Sequence, residues 1–240
     1  MQLTLVIDMC SCGGKRPAPP TCTSKTPCPI ASAPDVVKTT PKISDLPDKI
    51  SIPPDVCKQM QDLWKQSITA DGNSEEHGGT LALDKNGKMV IVNQGSGGSG
   101  AFTPSTDVPD DHKYLGTFHT HPYGKNDGAL DGAHAAFSGG DIGTLDDYHE
   151  NLSMLQSGDN KYVLVKTTTS PSTIDDDKIN DEYEKIRKAE QARLLATGMD
   201  RKQAFELASD KAAQEMAKKL NYGYYKGTDC ASLTRLNPPT

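Results

Sequence analysis

The sequence predicts a mixed α/β fold, with strands in the middle of the chain, a helix before them and a helical hairpin at the C-terminal end. The strand prediction comes from short apolar runs at residues 78 to 93, 114 to 121 and 161 to 169, which are bounded by Gly, Pro, Asn and Asp. The helix prediction comes from residues 55 to 68 and 175 to 220, where apolar side chains recur at helical spacing.

Residues 1 to 54 are expected to form a Pro- and Cys-rich arm or linker. Ten of the 16 prolines lie there, mixed with Thr, Ser and Lys, and proline disfavours both helix interiors and central strands. The segment QLTLVID, residues 2 to 8, is apolar enough to add one strand to a sheet. We therefore expect the globular domain to begin at residue 55.

The first helix is expected at residues 55 to 68, because its apolar residues fall on one helical face: Val56, Met60, Leu63, Trp64 and Ile68. Asp55 is the expected N-cap. The segment 78 to 93 is expected to be two strands joined at Asn86-Gly87, since this dipeptide supplies the positive φ values of a tight hairpin turn.

Between the third and fourth predicted strands, a helix is expected after a Ser-Gly-Gly-Asp turn. Its apolar residues have helical spacing: Ile142, Leu145, Leu152 and Leu155. Two more helices are expected between residues 175 and 220, separated at Gly198 and with Asp200 as the cap of the second. The second has a stripe of residues that should be buried: Phe205, Ala208, Ala212, Met216 and Leu220.

The charge of the chain argues against nucleic acid as a partner. There are 26 Lys and Arg residues against 32 Asp and Glu residues, a formal net charge of −6, and no basic run suited to a phosphate backbone. No apolar run reaches the roughly 18 residues of a membrane span. The apolar start has no basic segment before it, so no ordinary secretory signal is expected. A cytoplasmic location and export by another route both stay open.

The cysteines leave the redox compartment undetermined. Four of the six lie in the N-terminal arm: Cys10, Cys12, Cys22 and Cys28. Their spacing matches no zinc knuckle well, so we expect one or two disulfides or free thiols there ahead of a metal site. Cys57 and Cys230 are isolated in the sequence, and no pairing is predicted for them.

Two histidines end the third predicted strand, in the segment LGTFHTHPYG. Because side chains alternate along a strand, His119 and His121 point to the same face, about 6.8 Å apart along it. Two imidazoles so placed can share one zinc ion, and Asp141, at the expected helix start, can complete a His2Asp ligand set.

These residues resemble the JAMM/MPN+ (JAB domain) metalloprotease pattern of a Glu, then His-Ser/Thr-His-Pro, then Ser-x-x-Asp. The matching positions are Glu76, His119, Thr120, His121, Pro122, Ser138 and Asp141. The resemblance covers roughly residues 56 to 172 and implies a JAMM-like (cytidine-deaminase-like) curved mixed sheet flanked by helices. The 16 residues from 122 to 137 are more than the family usually has between the second His and the Ser. They indicate an inserted surface loop at the substrate cleft.

The resemblance implies zinc-dependent hydrolysis of a peptide or isopeptide bond. His119, His121 and Asp141 would hold the zinc and leave a fourth position for water. Glu76 would be the general base and then the general acid, and Ser138 would donate to the developing oxyanion. The implied substrate is a protein or peptide, and ubiquitin or ubiquitin-like tails are frequent targets of this family.

Alternatives stay open for the function of the chain and for the identity of the general base. One alternative function is a non-catalytic MPN-type binding or scaffold module, and another is a metallohydrolase of a non-protein bond such as a cell-wall peptide amide. Glu75 competes with Glu76 as the base, but the Glu-x-Gly spacing favours Glu76. The other histidines are expected to be loop or surface residues, because none has a partner at metal spacing: His77, His112, His134 and His149.

The expected organisation is an arm at residues 1 to 54, a JAMM-like core at 55 to 172 and a C-terminal helical extension packed on the core at 173 to 240. The arm and the trailing helices are typical of an enzyme that a partner delivers or tethers, as in a bacterial effector.

Overall fold

A nine-stranded mixed sheet is the centre of the computed structural model, which describes residues 28–29, 43–98 and 101–236. The strands are β1 (Cys28–Pro29), β2 (Lys49–Ser51), β3 (His77–Leu83), β4 (Met89–Ser96), β5 (Lys113–Thr120), β6 (Leu152–Ser157), β7 (Asn160–Val165), β8 (Gly223–Gly227) and β9 (Leu233–Arg235). Their order across the sheet is β1-β2-β9-β8-β7-β6-β5-β3-β4. The pairs β1–β2 and β5–β6 are parallel, and the other pairs are antiparallel.

Helices cover both faces of this sheet and confirm the mixed α/β class. They are α1 (Pro54–Gln66), α2 (Gly139–Asp147), α3 (Asp176–Ala196) and α4 (Arg201–Lys219). Helix α1 packs on one face with Met60 and Leu63 against Phe118 and Met154. Helices α2, α3 and α4 share a second apolar cluster on the opposite face. Within the described ranges, no helix has both the length and the hydropathy to cross a bilayer.

The domain begins before residue 55, which corrects the last part of the predicted arm. Strand β2 pairs with β9 through Ile50 and Leu233, and Leu46, Ile50 and Ile52 are buried. The flanking prolines at 47 and 53 bound this short strand and do not interrupt it, a distinction that a count of prolines cannot make. The structure does not describe several features predicted for the arm. These are the strand at residues 2 to 8 and the thiol groups of Cys10, Cys12, Cys22 and Cys28.

Helix α1 confirms the first predicted helix, but its predicted cap is wrong. Pro53 occupies the N-cap position and Pro54 the first helical position, where a missing N–H has no intrahelical partner to lose. The carboxylate of Asp55 instead forms an ion pair with Lys88. Both side chains are exposed, so this pair contributes little to stability.

The hairpin of β3 and β4 is confirmed, with a different turn from the one predicted. Gly87 has a φ of 76°, but Asn86 is not among the residues with positive φ. The carboxylate of Asp84 accepts hydrogen bonds from the N–H groups of Asn86 and Lys88, at 2.8 and 2.9 Å. An aspartate side chain therefore organises the turn, together with one glycine.

The helix predicted through Leu155 is wrong in its second half. Helix α2 ends at Asp147, and Leu152 and Leu155 belong to β6, which pairs in parallel with β5. Every residue of β6 is buried, so the strand has no alternation of polar and apolar residues to distinguish it from a helix.

The C-terminal helical hairpin is confirmed. Gly198, with a φ of 85°, follows α3, and the side chain of Asp200 caps α4 by accepting from the N–H of Gln203 at 2.9 Å. Ala208, Ala212, Met216 and Leu220 of the predicted stripe are buried, and Phe205 is partly buried.

Two strands after α4 were not predicted. Strands β8 and β9 complete the sheet between β7 and β2, and the tyrosines Tyr224 and Tyr225 of β8 are buried. Cys57 of α1 and Cys230, between β8 and β9, form a disulfide across 173 residues of sequence. The two cysteines that are isolated in the sequence are therefore partners in the fold.

Candidate metal centre

The end of β5 places two imidazoles side by side. The strand pairs with β3 through Gly78 and His119, and with β6 through His119 and Leu155. His121 lies one residue beyond β5, and its N–H continues the pairing by donating to the carbonyl of Gln156 at 3.0 Å. His119 and His121 are 8% and 9% exposed, and their Nε2 atoms lie 3.1 Å apart.

The first turn of α2 holds a carboxylate against both imidazoles. The Ser138 Oγ accepts from the N–H of Asp141 at 3.1 Å, and Asp141 Oδ2 accepts from the N–H of Ser138 at 2.6 Å. This reciprocal capping box fixes the carboxylate at the helix start. Asp141 Oδ1 lies 3.2 Å from His119 Nε2, and Oδ2 lies 3.2 Å from His121 Nε2.

His119, His121 and Asp141 could hold a metal ion. Their ligand atoms all lie within 4.8 Å of one another, and the shortest separations are 3.1 and 3.2 Å. A tetrahedral zinc site with bonds of about 2.0–2.1 Å separates its ligand atoms by about 3.3–3.4 Å, so the geometry fits. Within the described part of the chain, this is the only such group of three or more His, Cys, Asp or Glu side chains.

The neighbours of His121 support the ligand role of its Nε2 atom. Its Nδ1 atom lies 3.2 Å from the carbonyl oxygen of Ala136. When Nδ1 donates its hydrogen there, Nε2 carries the free lone pair that a metal needs. The Oγ of Ser157 also donates to the carbonyl of His121, at 2.9 Å, which fixes the backbone at this position.

The charges of these groups oppose the effect of their burial. Burial alone would raise the pKa of Asp141, but the two imidazoles outweigh it and hold that pKa well below its usual range. Burial alone would lower the pKa of His121, but Asp141 and then Glu76 reverse the direction and raise it. An ionised carboxylate therefore faces the two imidazoles.

Glu76 lies beside the three side chains but is not one of the group. It directly precedes β3, and its carbonyl accepts from the N–H of Gly97 at 2.8 Å. The register of β3 on β5, continued by two residues, places it opposite His121. Burial is the largest influence on its carboxyl and raises the pKa of Glu76, and the charges of both imidazoles act in the opposite direction.

The competing carboxylate, Glu75, has different surroundings. Its Oε2 atom lies 3.9 Å from His77 Nε2, and its side chain is 37% exposed. Of the other histidines, His112 contacts Asp111 and His149 is exposed. None of the four joins the group formed by His119, His121 and Asp141.

Comparisons of this chain with models of protein families, with curated proteins and with solved structures found no match. Its function therefore has to be argued from the site itself.

Glu150 is a buried carboxyl group near this site for which the sequence offers no signal. It lies between α2 and β6, is 1% exposed, and its Oε1 accepts from the Oγ1 of Thr117 at 2.8 Å. Thr117 lies two residues before His119 on β5 and shares its face. Burial raises the pKa of Glu150 to about 8. The folded protein thus holds a proton here at neutral pH that the unfolded chain releases near pH 4.5.

Glu150→Gln is expected to make stability less sensitive to pH. Because the folded-state pKa of Glu150 is above its unfolded value, the wild-type free energy of unfolding falls as pH rises from about 4.5 to 8. The advantage of the variant should grow over this window to about 4–5 kcal/mol, since each pKa unit of the shift corresponds to about 1.4 kcal/mol, and stay constant at higher pH. Urea unfolding between pH 5 and 9 measures it, with the exposed Glu215→Gln as control. A difference between Glu150→Gln and wild type that does not change with pH would contradict the assignment.

Proposed function

We propose that this chain is a zinc-dependent hydrolase of peptide or isopeptide bonds with a JAMM/MPN+ fold. The observation that carries the proposal is the convergence of His119, His121 and Asp141 with a half-buried carboxylate, Glu76, beside them. Structural zinc sites are closed by four protein ligands, whereas catalytic sites have three and an open position. Three ligands and a separate carboxylate are the set that hydrolysis requires.

The side chains around the ion divide the chemistry between them. When bound, zinc supplies Lewis acidity that activates a water molecule at neutral pH. The carboxylate of Glu76 would take a proton from this water and return it to the leaving amine. The Ser138 Oγ accepts from the N–H of Asp141, which leaves its hydroxyl hydrogen to donate toward the carbonyl oxygen of the substrate.

The proposed substrate is a protein or peptide. The family resemblance favours a ubiquitin-like tail among these substrates, and a cell-wall peptide is the main non-protein competitor. A panel of peptides, ubiquitin-like conjugates and peptidoglycan peptides, analysed by mass spectrometry with and without zinc, tests the proposal. Zinc-dependent cleavage of one member supports it, and bound zinc without any cleavage supports the scaffold alternative.

The purified protein is expected to bind one zinc ion per chain and to lose it in His119→Asn. Asparagine is not among the usual zinc ligands, and two remaining ligands hold zinc poorly. His149→Asn is the matched control, because this exposed histidine has a φ of 51°, which Asn accepts readily. Elemental analysis after dialysis gives the stoichiometry. Full zinc content in His119→Asn would refute the ligand assignment.

A further inference from the structure

A pocket lies between the end of α1 and the inserted segment 122 to 137. Its volume is about 240 Å³, and its walls include Trp64, Ile68, Tyr123, Lys125, Ala133 and His134. Pockets that enclose whole small molecules measure about 300–1,000 Å³. The size of this one suits a single large side chain.

The pocket is formed before any ligand arrives, because the insertion is tied to the turn between α1 and β3. The N–H of Lys125 donates to the carbonyl of Gly72 at 2.9 Å. The Oγ of Ser74 lies 3.1 Å from Asn126 Oδ1 and 3.1 Å from Asp127 Oδ2. These bonds hold one wall against the other.

Both ends of the insertion connect the pocket to the candidate metal centre. Tyr123 lies two residues after His121 in the sequence. His134 lies two residues before Ala136, whose carbonyl oxygen is 3.2 Å from His121 Nδ1. A substrate residue one or two positions from the bond held at the metal centre would therefore reach the pocket.

The surface of the pocket is apolar where the occupant would contact it. Trp64, Ile68 and Tyr123 supply hydrophobic surface, while Lys125 and His134 supply the polar atoms. Ile68 is 41% exposed, and among the described residues it is one of three large hydrophobic side chains that are exposed. Exposed apolar surface in a concave site is typical of a place that a ligand covers.

We propose that this pocket is a specificity subsite that receives the side chain of a large apolar residue, leucine or phenylalanine, next to the scissile bond of the substrate. The inference rests on the proposed hydrolase function, because it places the occupant beside the bond to be cleaved. It assigns Trp64, Ile68 and Tyr123 to substrate selection and not to the chemistry.

Trp64 is the only tryptophan of the chain, so its fluorescence reports on the pocket. The probes are acetylated pentapeptide amides Gly-Gly-X-Gly-Gly with X as Ala, Leu or Phe. They are titrated into zinc-loaded Glu76→Gln, so that binding is measured without turnover. The Leu and Phe peptides are expected to bind at least about tenfold more tightly than the Ala peptide.

Ile68→Asp, made in the Glu76→Gln background, should abolish this preference, since it places a charge in the apolar wall. Ile68 is 41% exposed and belongs to neither apolar cluster, so the fold does not need its side chain. Leu195→Asp is the matched control, because Leu195 is 42% exposed and lies outside the pocket. Equal affinity of the three peptides, or an unchanged preference in Ile68→Asp, would overturn the subsite.

The cleavage panel separates this failure from failure of the proposed function. Cleavage by the wild type with no preference for an apolar residue near the scissile bond would remove the subsite and leave the hydrolase. The expected binding preference without cleavage of any substrate would remove the hydrolase and leave an apolar peptide-binding pocket.

Discussion

Glu76→Gln is expected to lower kcat by about 10²–10⁴-fold, the usual contribution of a general acid or base, and to leave the zinc content unchanged. The amide has the size of the carboxylate, but it cannot take a proton from water or return it to a leaving amine. Glu76 lies outside the ligand group, so the ion should remain bound. The measurement is kcat for a cleaved member of the substrate panel, together with elemental analysis of the same sample.

Glu75→Gln is the matched control for this loss. It makes the same chemical change one residue away, on a side chain that is 37% exposed and 3.9 Å from His77 Nε2. We expect wild-type activity, because the carboxylate of Glu75 lies near His77, whereas that of Glu76 lies beside the three candidate ligands. A large loss in Glu75→Gln with full activity in Glu76→Gln would transfer the role of base to Glu75. Equal activity of both variants and wild type would exclude either carboxylate as the base.

The candidate ligands could be found in the sequence because local rules position each of them. His119 and His121 share a face through strand alternation, which holds whatever the rest of the sheet does. The carboxylate of Asp141 is placed by the capping box with Ser138, a contact over three residues. Local rules do not predict that the strand with the two histidines approaches the helix start with Asp141. For this approach the prediction relied on the resemblance to the JAMM/MPN+ pattern.

The features that were missed depend on contacts between distant parts of the chain. Strand β6 lies in the middle of the sheet and is buried throughout, so its sequence lacks the alternation of a half-exposed strand. Strand β2 depends on pairing with two distant segments, β1 earlier in the chain and β9 late in it. Glu150 has no motif, and its raised pKa comes from burial that the tertiary structure creates.

Replacing the bridging cysteines, as Cys57→Ala with Cys230→Ala, is expected to lower Tm by roughly 6–20 °C without changing the fold. The bridge closes a loop of 173 residues. Its loss returns conformational freedom to the unfolded chain, worth about 3–5 kcal/mol, at about 2–4 °C per kcal/mol for a domain of this size. Calorimetry gives Tm, and circular dichroism gives the helix and strand content.

The fold should survive because other contacts hold the same turn. The N–H of Ile52 donates to the carbonyl of Cys230 at 2.8 Å, and Leu233 is buried in the core beside Met60 and Val56. Dithiothreitol should lower the Tm of the wild type toward that of the double variant, because both then lack the same cross-link. A double variant as stable as the oxidised wild type would show that this bridge does not form in solution. Loss of secondary structure would show that the disulfide is needed to join α1 to the sheet.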